Sequence, residues 1–162
     1  KASLAYGSGF FVSFSVLFLF LFLVSREKKT ADISIKEAAP KLLALMNADA
    51  LQEENILKVR ARYGLEESVI SEAVYYGPVS NMDAEELLII KMVSTEYAET
   101  VRASFESRIA YQTTCFENYG VDQMALIRSA KIVIQGPYAM LSISSNAAEA
   151  EELFLSLLKG GQ

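Results

Sequence analysis

Residues 131–144 read KIVIQGPYAMLSIS, two short apolar runs parted by Gly136 and Pro137. Glycine followed by proline is strong turn chemistry, so the stretch predicts two antiparallel strands joined as a hairpin. In the second run Tyr138 and Met140, continued by Ser142, share one side, and Ala139, Leu141 and Ile143 share the other. That two-residue alternation predicts a half-covered sheet.

Upstream, ESVISEAVYYGP (67–78) is rich in β-branched and aromatic residues and closes on Gly77-Pro78, so it reads as a strand ending in a loop. ELLIIKMV (86–93) is a continuous apolar run of strand length, although Asp83 and Glu86 could instead cap a helix there. Between these strands and the hairpin, Ser94 or Thr95 opens the longest predicted helix. Tyr97, Val101, Phe105 and Ile109 recur along it every four residues, and Gly120 ends it. A short helical turn is expected at 122–128. NAAEAEELFLSLLKGG (146–161) closes the chain as a helix capped by Asn146, with Leu153, Leu157 and Leu158 inward.

Nearer the N-terminus, Ser34 and Glu37 form a capping box for a helix through Ala39, Leu42, Leu43 and Met46. Asp49 and Gln52 offer a second capping pair for a helix that stops at Gly64. The element order predicted is ααββαββα, an α+β domain with a small antiparallel sheet of about four strands packed with helices.

That domain, residues 30–162, follows a segment of different character. From Leu4 to Val24 no residue is charged. As a helix rising ~1.5 Å per residue, 21 residues span roughly 31 Å, about one hydrocarbon thickness. The following SREKKTADIS has neither the small-x-small pattern of a signal-peptidase site nor a cysteine to carry a lipid. Residues 1–29 therefore read as an uncleaved transmembrane anchor and basic flank, with the bilayer as partner through residues 4–24. Ala5, Gly9 and Ser13 place three small residues on one helix face, a geometry that admits close approach of another membrane helix, from a partner or a second copy. Arg26, Lys28 and Lys29 follow the span and only Lys1 precedes it, which by the positive-inside rule points the domain toward the cytoplasm.

Composition narrows the chemistry. From Ile33 onward the chain carries 11 basic and 18 acidic residues, with no basic footprint for nucleic acid. Histidine is absent and Cys115 is the single cysteine, so imidazole bases, internal disulfides and most zinc sites are excluded, and no metal or cofactor is predicted. Cys115 reads as a small buried hydrophobe. The pairs Glu66-Glu67, Glu85-Glu86 and Glu151-Glu152 read as solvated faces, and Arg60 and Arg62 as surface cations on a helix. Tyr75, Tyr76 and Tyr138 flank two Gly-Pro turns and are the candidate partner-binding residues. They would form one aromatic patch, although strand alternation must bury one of Tyr75 and Tyr76.

RYGLEESVISEAVYYGP (62–78), AEELLIIKM (84–92), ESRIAYQTTCFENYG (106–120) and SAKIVIQGPYAMLSIS (129–144) resemble, in order and spacing, the bacterial domain-of-unknown-function family numbered 4358. The resemblance spans roughly Ile33 to Lys159. It implies a compact α+β domain of membrane-anchored or lipidated envelope proteins of Gram-positive bacteria, placed outside the cytoplasmic membrane, and it lends no active site. Here the lipid-attachment cysteine is missing. The function expected is a membrane-tethered extracytoplasmic binding or accessory domain, a non-catalytic subunit of a larger complex. The alternative is a carboxylate-dependent envelope enzyme acting on a cell-wall polymer.

Overall fold

Five antiparallel strands form the sheet of this computed structural model, which describes residues 30–118 and 120–160. The expected anchor, with Ala5, Gly9 and Ser13, lies outside the described residues. Among the described residues no helix is long and apolar enough to cross a membrane. The elements are α1 (Ile35–Leu43), β1 (Leu51–Glu54), α2 (Ile56–Tyr63), β2 (Ile70–Pro78), β3 (Glu86–Met92), α3 (Ala98–Phe116), α4 (Val121–Arg128), β4 (Lys131–Gln135), β5 (Tyr138–Ile143) and α5 (Ala147–Leu158). The strands lie side by side as β1-β2-β3-β5-β4.

The α+β class holds, and local chemistry explains most boundaries. Ser34 Oγ accepts the Glu37 amide at the start of α1, and Ser94 Oγ accepts the Glu96 amide in the turn leading into α3. α2 stops at Gly64 as expected, but Asn55, whose Oδ1 accepts the Lys58 amide, is its cap. Asp49 and Gln52 cap nothing: residues 48–50 make a 3₁₀ turn and Leu51–Glu54 form the fifth, edge strand. β3 is the strand its apolar run suggests, buried along almost its whole length in the middle of the sheet.

The hairpin forms as read, with Gln135 facing Tyr138 across a two-residue loop. The half-covered sheet does not, because helices lie on both faces. Ala139, Leu141 and Ile143 join Leu88, Ile90 and Tyr75 in a core under Val59 and Tyr63 of α2, Val101 and Phe105 of α3 and Ile127 of α4. Tyr138 and Met140 join Val74, Leu87, Ile89 and Val133 under Ile35, Ala39 and Leu42 of α1 and Ala150, Phe154 and Leu158 of α5. β5 alternates, as a strand must, but both sets of side chains are buried.

Gly136 has φ +56°, and a Cβ there would lie 2.8 Å from Thr30 Oγ1. A branched side chain is strained by that backbone and must also displace Thr30. Gly136→Val is expected to lower stability by about 1–3 kcal/mol, read as a reduced midpoint in urea.

The segment entering α1 is strapped to this end of the sheet. Lys91 Nζ and the Tyr138 hydroxyl both donate to Asp32 Oδ1, the Tyr138 hydroxyl accepts the Ile33 amide, and the Ala31 amide donates to the Leu158 carbonyl. The hydrogen bonds from Lys91 and Tyr138, with the Lys91 charge, hold the Asp32 carboxyl below its ordinary range. A depressed carboxyl stabilises the fold above its unfolded pKa of about 3.9, and loses that contribution as pH falls through the lower folded value. Wild type is therefore expected to melt above Asp32→Asn at neutral pH, with the gap closing below about pH 4. Melting curves of both proteins across pH check this.

Candidate functional site

At the opposite end of β3 from Lys91, the sheet carries a buried polar network. Strand alternation puts Glu86 on the same face as Leu88 and Ile90, so its carboxylate projects toward α3 instead of water. Arg108 meets it there: Nε donates to Oε1 at 2.8 Å and Nη2 to Oε2 at 2.9 Å. The Tyr75 hydroxyl donates to the same Oε2 at 2.9 Å and accepts from Arg62 Nη1 at 2.8 Å. Glu86 is 0 % and Arg108 7 % exposed, so the carboxylate is closed from water while the guanidinium borders the surface, and the two-pronged geometry compensates the desolvation of both charges.

Aromatic rings pack round the pair. Tyr63 meets Tyr75 edge-on at 5.6 Å and Phe105 at 5.8 Å, and Arg108 lies over the rings of Tyr63 and Tyr111. Burial works against the Arg108 charge, but the hydrogen bonds and charge of Glu86 outweigh it and hold its proton more tightly than in water. Burial, reinforced by the Glu86 charge, pushes both the Tyr63 and Tyr75 hydroxyls upward, so both stay protonated. The Tyr63 hydroxyl is buried without a hydrogen-bond partner among the described residues.

Above this network opens a cleft of about 590 Å³ between α2, α3 and the loop from β2 to β3. Arg62, Asp83, Arg108 and Gln112 supply its polar groups, and Pro78, Tyr111 and Phe116 its apolar walls, with Cys115 among the lining residues. Gln112 is 4 % exposed as a residue, and its side chain lines the cleft without being a buried unpartnered group. Gly77 shapes the site by lacking a side chain: a Cβ there would stand 2.9 Å from the Tyr75 hydroxyl and 3.1 Å from Arg62 Nη1.

The tyrosines anticipated as one patch are separated. Tyr75 is buried in the core beneath α3, Tyr138 in the core beneath α1 and α5, and Tyr76 is half-buried on the Tyr138 side. Adjacent strand positions face opposite ways, and Tyr138 sits at the far end of the sheet beside Lys91, so no shared aromatic surface results. The Glu85-Glu86 pair is not a solvated face either. Glu86 is sealed, and Glu85 Oε1 accepts the Asn47 amide, burial raising its carboxyl against that hydrogen bond. Arg62, expected on the surface, is drawn down by Tyr75. Among the described residues no group of His, Cys, Asp or Glu is arranged to hold a metal ion.

One sequence signal could have found the site. The buried row of α3 runs Val101, Phe105, Arg108, Gln112, Phe116, at spacings of three and four. A strict repeat of four drifts about 40° round the helix per step, which leaves Tyr97 and Ile109 at the margins. Two polar residues in phase with Val101, Phe105 and Phe116 are the mark of a buried polar site.

Fold and site together define a three-layer α+β domain with an antiparallel sheet, a sealed arginine–glutamate pair and a polar cleft above it. The chain belongs to the family described as domain of unknown function (DUF4358), whose model matches residues 43–144. No curated protein and no solved structure matches it.

Proposed function

We propose that residues 30–162 form a non-catalytic, extracytoplasmic binding domain, an accessory part of a membrane complex, held by an anchor at residues 4–24 and taking its ligand in the cleft of Arg62 and Gln112. The charge-free run of residues 4–24 supports the tether, with Ala5, Gly9 and Ser13 as the row that meets another membrane helix. The observation that carries the binding role is the cleft itself, in which Arg62, Asp83 and Gln112 share one space of about 590 Å³ walled by Pro78, Tyr111 and Phe116.

Carboxylate catalysis has less support. Polymer-cleaving carboxylates work as an exposed pair, whereas both oxygens of Glu86 are already engaged and Asp83 is the one carboxylate lining the cleft among the described residues.

Cys115, the only cysteine in the chain, lines the cleft and reports its occupancy. Full-length protein in mild detergent is expected to be alkylated at Cys115 several-fold more slowly in the presence of a small-molecule extract of the source cells. An unchanged rate and an unchanged melting temperature would overturn the reading. Protease treatment of intact protoplasts tests the orientation, and digestion only after lysis would place the domain inside.

A further inference from the structure

We propose that the cleft takes a short peptide with free termini, bound as a zwitterion with its carboxylate on Arg62, an amide on Gln112 and its ammonium on Asp83. This rests on the cleft being the ligand site and adds the chemistry of what enters it.

The two arginines are not equivalent. Arg108 spends Nε and Nη2 on Glu86, which cancels its charge. Arg62 spends one donor on a neutral hydroxyl and forms no ion pair among the described residues, so it is the uncompensated cation of the cleft. The Tyr75 hydroxyl and the missing side chain at Gly77 fix the place of its guanidinium, whose remaining N–H groups suit a planar carboxylate.

Gln112 offers one donor and one acceptor face, the complement of a peptide group. Asp83 keeps one carboxylate oxygen free, since only Oδ1 accepts the Glu85 amide. Arg62 and Arg108 against Asp83 and Glu86 leave no net formal charge. A phosphate dianion would therefore be undercompensated, whereas a molecule with one charge of each sign is matched. The volume, about 590 Å³, suits a ligand of this size, and Pro78, Tyr111 and Phe116 give side chains an apolar wall.

The test uses full-length protein in detergent and a panel of dipeptides with free termini, from Ala-Ala to Phe-Phe, with Cys115 alkylation and calorimetry as readouts. At least one dipeptide is expected to protect Cys115, and converting its C-terminal carboxylate to an amide should weaken binding about tenfold or more. Arg62→Gln should bind acid and amide alike, while Gln112→Leu weakens both. If either variant fails to fold, the acid and amide forms on the wild-type protein decide. Equal affinity for acid and amide there overturns the zwitterion. So does an extract that protects Cys115 when no dipeptide does, an outcome that leaves the cleft as a ligand site. Protection by neither overturns the cleft as well.

Discussion

Arg108→Leu is expected to destabilise the domain by about 3–5 kcal/mol, because it strands the fully buried Glu86 carboxylate without its counter-charge and leaves it the neutral Tyr75 hydroxyl as a donor. The cost comes from the orphaned charge more than from the lost attraction. Replacing both partners, Glu86→Leu with Arg108→Leu, removes the charge together with its counter-charge, and should recover most of the loss. Urea denaturation of the two single variants and the double variant closes the cycle. An Arg108→Leu midpoint near wild type would mean that water reaches Glu86.

The same pair shows where sequence reading reached its limit. The Ser34 cap, the Gly136 turn and the apolar run of β3 are local, each written in residues a few positions apart, whereas Asp49 and Gln52 cap nothing and the Asn146 side-chain amide donates to the distant Leu45 carbonyl instead of capping α5. β1 was hidden because it is a four-residue edge strand, LQEE, with one buried position, too short and too polar to show a period of two. Glu86 was hidden for a different reason. Beside Glu85 it looks like half of a solvated pair, and only its partner 22 positions away, on a helix crossing the same face, explains its burial. Arg62 likewise reads as a surface residue until β2 brings Tyr75 beneath it. Tertiary partners of this kind leave a trace only as polar residues in phase with an apolar row, which Arg108 and Gln112 provide.

Phe154→Ala tests the face of the sheet that α1 and α5 cover, the second cover that a half-covered sheet would lack. Phe154 is fully buried between Ala150 and Leu158 of α5 and packs in the core that holds Leu87, Ile89 and Met140. These α5 positions are four residues apart, so one face of the helix meets the sheet and Leu157 falls to its edge, half-buried. Removing the Phe154 ring should cost about 3–5 kcal/mol through lost burial and the cavity left behind, with little change in the denaturant slope. Leu157→Ala should cost only about 1 kcal/mol, since that side chain is part-exposed and belongs to neither core. The contrast is the measurement. If Leu157→Ala proved the more damaging of the two, α5 would have to be turned so that the leucine row faced inward, and the sheet would lose the cover that makes β5 a central, doubly buried strand.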